Sequence, residues 1–374
     1  METYRLSSKL REKDKEYLIQ TANDANLGLV ATTIFVDGIL TETTNCPHPD
    51  DIRPQEVLSL VKASHEEKKK EIETLLQSYR RVLESGEAET MHHLGTAFYY
   101  KGFYQEAREL FRAATSIDPN HHQALNQLAL TELALGNVRT AILAAQAAVA
   151  KRPRYADYHN NLGESFLADG ACHKAIMEFE EAISINLYYA DAYFNLGLAQ
   201  LLNAQAFPDR EQTQDRIARM TDCFYKASLI NTAYQGQSLD EGLAALKDGD
   251  LNRALHTFKS IRETKKEHHR QEFAGFHMKL ILFPEWASEK AVTDRIEFLT
   301  QEIRKNPAYV DLQAELAQCY LEQGRIAWQK GVEQYKQAAD INPSLANLQT
   351  ALEQAQALYG HLCATVSTIS EKSS

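Results

Sequence analysis

No apolar run in this chain approaches the length of a membrane span, and the opening Met1-Glu2-Thr3-Tyr4-Arg5-Leu6 holds no apolar stretch of signal-peptide length. No membrane insertion is therefore expected. Cysteine is sparse: Cys46, Cys172, Cys223, Cys319 and Cys363 form a scattered set of odd number, with no CxxC spacing. That excludes a disulfide framework, and free thiols fit a reducing compartment, so the expected location is cytoplasmic. A dense Lys/Arg stripe is missing too. Forty basic residues stand against 51 acidic ones, a formal net charge of -11 that repels phosphate backbones. Nucleic acid is not an expected partner. The tract Lys68-Lys69-Lys70, flanked by Glu66, Glu67 and Glu71, reads as a solvated helix face. Catalytic signatures are equally absent: there is no Gly-rich phosphate loop and no HExxH, and Ser165 has no GxSxG frame. The expectation is a chain that is not an enzyme and holds no cofactor or metal.

What is present is a repeat. Gly95, Ala129, Gly163 and Gly197 recur at a step of 34 residues, as do Gly102, Gly136 and Gly170, and Ala107, Ala141 and Ala175. Ala114, Ala148 and Ala182 keep the same step, and so do Pro119 and Pro153. Several independent series sharing one period mark a repeat architecture. Each series has a physical reason. Small residues in the first and second helix of a unit allow close approach, and Phe111 and Phe179 fill the space between helices. The series from Gly102 supplies the left-handed turn that ends a helix. Pro119 and Pro153 stop the second helix. The apolar spacing Leu94, Phe98, then Ala107, Leu110, Phe111, Ala114 is helical.

The segment Leu94-Gly95-Thr96-Ala97-Phe98 … Ala107 … Phe111 … Ala114 … Pro119 resembles the tetratricopeptide repeat (TPR), and Asn161-Leu162-Gly163 … Phe166 … Ala175 … Phe179 … Ala182 restates it. The resemblance covers residues 88–345 and implies a mostly α fold, a helical-hairpin solenoid of about seven repeats. The fourth repeat carries an insertion around Ala206-Phe207-Pro208-Asp209. The sixth, near 269–309, is irregular, with Phe276 where a small residue belongs and Phe283-Pro284-Glu285-Trp286 at its turn. The seventh keeps Leu316-Ala317, Tyr320, Gly324, Tyr335, Ala338 and Pro343. Residues 346–366 suit a C-terminal capping helix, and Ser370 to Ser374 a disordered tail.

Residues 1–52 differ in character. Glu16–Thr21, Gly28–Val36 and Ile39–Thr44 read as strands, with Asp37-Gly38 as a tight hairpin turn and Tyr4–Leu10 as a possible fourth. This is a small β-sheet (α+β) module, too small to stand alone, so a helix or a second copy (a homodimer) is expected to cover it. Pro54 opens a connecting helix within 53–87, whose alternatives are a cap on the solenoid or a short coiled coil. The cluster Cys46-Pro47-His48-Pro49-Asp50 reads as a rigid turn.

The pairs His92-His93, His121-His122 and His268-His269 are expected as solvated polar residues, because adjacent histidines on a helix point apart. The competing reading is a zinc site from His92 or His93 with His122 or His159. The resemblance also implies a concave groove lined by the first helix of each repeat. Here that groove carries His93, Gln127, Asn126, Asn160, Asn161 and Asn195, edged by Glu89, Asp157 and Asp191. The Lys and Arg clamp with which some TPR co-chaperones hold a C-terminal carboxylate is missing. Asn161 and Asn195 resemble instead the asparagine ladder of other TPR proteins, including the glycosyltransferase that adds N-acetylglucosamine. The expected function is a scaffold or adaptor whose groove holds an extended peptide or helix of a partner protein, with a preference for basic flanks. The alternatives are a regulatory subunit or sensor, and an enzyme whose site would use Asp37, His48, Asp50 and Asp51.

Overall fold

The structure is a computed structural model that describes residues 3–12, 14–49, 52–206, 213–275, 289–305, 310–341 and 349–358. Asp50, Asp51, Phe207 to Asp209, Phe283 to Trp286, Cys363 and the last five residues lie outside the described residues. The chain is mostly helical with one small sheet at its start, and it divides into two compact units. One holds Met1–Ala171 with His268–Ala274, the other Cys172–Glu267 with Gly275–Ser374.

The first unit begins with strands β1 (Arg5–Glu12), β2 (Lys15–Asp24), β3 (Leu29–Val36) and β4 (Ile39–Pro47), an antiparallel meander in chain order. Alternation decides its faces: Tyr17, Ile19, Thr21 and Asn23 of β2 and Val30, Thr32 and Ile34 of β3 point inward. Asp37 and Gly38 both have positive φ, 50° and 82°, the geometry of a type I′ turn. Asp37 is fixed in that conformation by its side chain, whose Oδ1 accepts the Glu16 N–H at 2.9 Å. Helix α1 (Pro54–Ser85) lays Val57, Val61, Ile72, Leu75 and Tyr79 against the sheet and the first hairpin. It ends at Gly86, φ 71°. His65 on α1 is buried, with one ring nitrogen 2.8 Å from Ser8 Oγ and the other 3.0 Å from Thr21 Oγ1.

Lys68 is not a solvated residue. The end of α2 (Ala88–Tyr100) brings Lys101 to the same place, and with Glu42 and Glu71 the two lysines form a balanced buried quartet. Lys68 Nζ lies 3.0 Å from Glu42 and 2.9 Å from Glu71, and Lys101 lies 3.0 Å from Glu42 and also against Glu71. Burial by itself would raise the Glu42 carboxyl. Lys101 and Lys68 outweigh it and hold it at about 2. The sheet is tied to the first hairpin a second time, where Glu106 accepts from Tyr17 Oη at 2.6 Å and from Lys15 Nζ at 2.5 Å.

Helices α2, α3 (Tyr104–Ile117), α4 (His122–Ala134), α5 (Val138–Lys151) and α6 (Ala156–Ala168) follow, each packed on the next, with α2, α4 and α6 also side by side. The close approach has a visible cause at Gly95, where an added Cβ would stand 2.7 Å from the buried Phe111 ring.

The second unit holds α7 (Cys172–Ile185), α8 (Ala190–Ala206), α9 (Thr213–Ile230), α10 (Gln237–Lys247), α11 (Leu251–Gly275) apart from its His268–Ala274 stretch, α12 (Glu289–Lys305) and α13 (Val310–Ile341). Phe194 stacks on Tyr234 at 4.4 Å and Phe224 on Phe258 at 3.6 Å in its core. Where a seventh helical hairpin is expected, with Gly324 at the repeat's turn position, α13 runs unbroken, so residues 310–341 form one long helix and not a hairpin. Nothing crowds Gly324 or Gly331, and neither is held at positive φ. Residues 349–358 are helical too. Among the described residues no helix is long and apolar enough to cross a membrane.

Candidate functional site

Two clusters on the first unit carry the polar chemistry. The first starts at α2. Spacings of three and four residues put Glu89, His92 and His93 on one face of this helix. His121 precedes α4 and caps it, its Nδ1 accepting the Ala124 N–H at 3.3 Å. That capping geometry turns the His121 ring toward α2. His121 Nε2 lies 3.0 Å from Glu89 Oε2, His93 Nε2 3.1 Å from Glu89 Oε1, and His92 Nδ1 3.7 Å from the same oxygen. The rings of His92 and His121 are 5.0 Å apart.

Burial sets the character of the cluster. The side chains of His92 and His121 are 8% and 4% exposed, against 40% for Glu89. These two rings are buried and not solvated, because α2 and α4 pack together around them. His92 Nδ1 and His121 Nε2 are buried without a well-formed hydrogen bond; His92 stands too far from Glu89, at 3.7 Å, while His121 lies 3.0 Å from it. Burial pulls the His92 imidazole below its ordinary pKa, which keeps it neutral. Contact with His121, then with His92 and His93, holds the Glu89 carboxyl far below the carboxylate range.

The other histidines considered from sequence meet different groups. His122 Nδ1 sits 2.6 Å from Tyr158 Oη, and His159 Nε2 3.0 Å from the Pro153 carbonyl. Cys46 packs against Val30, Val57 and Val61, and His48 Nδ1 is 2.9 Å from the Pro49 carbonyl. His121 escaped sequence reasoning because it lies a repeat away from Glu89. The available signal was Glu-x-x-His-His opening one helix and a histidine at the cap of the next first helix.

The second cluster is the amide row. Asn126 on α4 accepts from Asn161 Nδ2 on α6 at 3.0 Å, and Asn161 Oδ1 faces Asn160 Nδ2 at 3.4 Å. Asn126 and Asn160 are buried, while Asn161 and Gln127 are half-buried. Gln127 Oε1 has no hydrogen-bond partner among the described residues. Asp157 is exposed in the first turn of α6.

Asn195 and Asp191 stand on α8 of the second unit. Asn195 is buried. Asp191 accepts from Tyr234 Oη at 2.8 Å and Lys265 Nζ at 2.6 Å, so this acid is occupied within its own unit.

Residues 88–121 and 126–186 match two models of the tetratricopeptide repeat. No curated protein matches the chain. Among solved structures, MamA shares 22% identity over 47% of this chain and 96% of its own, with a TM-score of 0.34. A thermophilic TPR protein of Thermus thermophilus shares 19% identity over 63% of this chain and 99% of its own, with a TM-score of 0.34. YrrB, described as a TPR protein with an unusual peptide-binding site, shares 11% identity over 53% of this chain and 97% of its own, with a TM-score of 0.36. At TM-scores this low the likenesses carry no argument about function.

Proposed function

We propose that this chain, which carries tetratricopeptide repeats in residues 88–121 and 126–186, is a non-catalytic scaffold that grips extended main chain of a partner protein. The observation that carries this reading is the amide row of α4 and α6. An amide side chain offers both donors and acceptors, the pairing a peptide unit needs. Asn161 is held by Asn126 and Asn160, which leaves it one further N–H and spare acceptor capacity in a fixed orientation. Preorganisation of this kind lowers the ordering cost of binding. Exposed Asp157 and half-exposed Glu89 add negative charge that favours basic flanks and quickens association.

The buried Asn126, Asn160 and Asn195 offer little surface and Gln127 Oε1 is itself buried, so the contact falls to half-buried Asn161. Peptides selected from a displayed random library on the full chain supply the test. Asn161→Ala is expected to weaken binding by about 0.5–1.5 kcal/mol, with a cooperative melt retained. Selected peptides that bind this variant as tightly as the parent would move the site away from this row.

A further inference from the structure

We propose that Glu89, His92 and His121 bind a divalent transition metal of the zinc class at the joint between the first two hairpins. Among the described residues this is the set of three whose ligand atoms all lie within 4.8 Å of one another. Two ligand atoms, His92 Nδ1 and His121 Nε2, are buried and lack hydrogen-bond partners, and both face the same carboxylate. Orphaned buried nitrogens are rare in folded proteins and ask for an explanation. A cation placed between them and Glu89 satisfies both at once.

The donor set selects the ion. Two imidazoles and one carboxylate suit Zn²⁺, Co²⁺, Ni²⁺ or Cu²⁺, whereas Mg²⁺ and Ca²⁺ prefer all-oxygen sites. Zinc bonds of about 2.0–2.1 Å in a tetrahedron put ligand atoms about 3.3 Å apart. His121 Nε2 stands 3.0 Å from Glu89 Oε2 and His92 Nδ1 3.7 Å from Oε1, distances on either side of that spacing but to the two different oxygens of the carboxylate. Glu89, the most exposed of the three, is the residue free to turn one oxygen toward both rings. Three protein ligands leave a fourth position for water or for the His93 ring, whose Nε2 is 3.1 Å from Glu89.

One contact opposes binding and is given up. A neutral His121 that ligates through Nε2 carries its proton on Nδ1, so Nδ1 stops accepting from the Ala124 N–H. That bond is 3.3 Å long and caps one helix turn. In exchange the metal joins α2 directly to the start of α4, so it fixes the first hairpin against the second. The inference is independent of the peptide reading, because its test measures metal and not peptide.

The experiment uses the full chain, stripped with chelator and titrated with Co²⁺ and then Zn²⁺ at neutral pH. The expected result is one saturable equivalent, a Co²⁺ ligand-field spectrum without a thiolate charge-transfer band, and a higher melting temperature with metal. The missing thiolate band separates this site from adventitious binding at the free cysteines. Glu89→Gln and His121→Asn are each expected to weaken binding by more than about tenfold. The asparagine in His121→Asn can still cap α4, so the folded state survives while the ligand goes. No saturable binding by the parent, a thiolate-dominated spectrum, or unchanged affinity in both variants would overturn the assignment.

Discussion

Gly95→Ala tests the packing logic of the repeat with one methyl group. The new Cβ would meet Phe111 Cε1 at 2.7 Å and Cδ1 and Cζ at 3.0 Å. Ordinary carbon contacts sit at about 3.5–4.0 Å. Phe111 is fully buried and already touches His92, so its ring has no free direction in which to retreat. Overpacking of this kind costs about 1–3 kcal/mol. Replacing glycine by alanine inside a helix offsets about 1 kcal/mol of that, so the net effect is a loss of up to about 2 kcal/mol. Gly324→Ala is the control, since it is helical and nothing lies within 4 Å of its added Cβ. It is expected to stabilise by up to about 1 kcal/mol. Repeat arrays do not always unfold in one step, so the comparison is best made by urea unfolding together with hydrogen exchange of the α2 and α3 amides. Gly95→Ala no less stable than Gly324→Ala would refute the reasoning. The chain contains its own version of the experiment. Gly197 faces Phe224 and Gly242 faces Phe258 at similar distances. In the second repeat the position of Phe111 is held by Ala145, and there the position of Gly95 is held by Ala129, both fully buried.

The quartet of Glu42, Lys68, Glu71 and Lys101 yields two further predictions. Lys101→Met leaves three buried charges unbalanced and is expected to cost about 3–5 kcal/mol, with much of that recovered when Glu71→Leu is added; urea midpoints of the single and double variants check it. Acid titration reports on Glu42, whose folded pKa of about 2 lies below the unfolded value near 4.5. Its contribution, of order 3 kcal/mol, is fully present above about pH 4.5 and is lost as pH falls toward 2. Glu42→Gln is expected to flatten that part of the stability profile, as read by urea unfolding at stepped pH.

Much of this fold was legible because its causes are local. The 34-residue step marked the hairpins through glycine, alanine and phenylalanine positions that packing dictates within one or two turns. Asp37-Gly38 marked the β-hairpin because only a few residue pairs accept two positive φ angles. Gly324 misled for a physical reason. Glycine permits a left-handed turn without requiring one, and in α13 the helix continues through it. The amide row was visible in outline, but its hydrogen bonds were not. Nothing in the sequence states that Asn161 donates to Asn126.

Several residues whose partners the sequence did not reveal share a property: each breaks the repeat. Lys101 is followed one and two periods later by Leu135 and Asp169, and Glu106 by Thr140 and Lys174. His92 gives way to Asn126 and Asn160, and His121 to Tyr155. The first hairpin has α1 and the sheet on one side, where later hairpins have another hairpin. Lys101 and Glu106 are charged because Glu42, Lys15 and Tyr17 of the sheet module meet them there. The sheet is thus bonded into the first unit and is not a tethered appendage. Removing residues 1–86 would strip Lys101 of Glu42 and Glu71 together and leave it facing newly exposed apolar surface. The same subtraction of the repeat from the sequence isolates His92 and His121, for which the sheet supplies no partner among the bonds described, while Glu89 keeps the acidic character that Asp157 and Asp191 have at its position. Departures explained by a neighbouring element are structural, and the departure left over after that accounting is the one that points to a ligand.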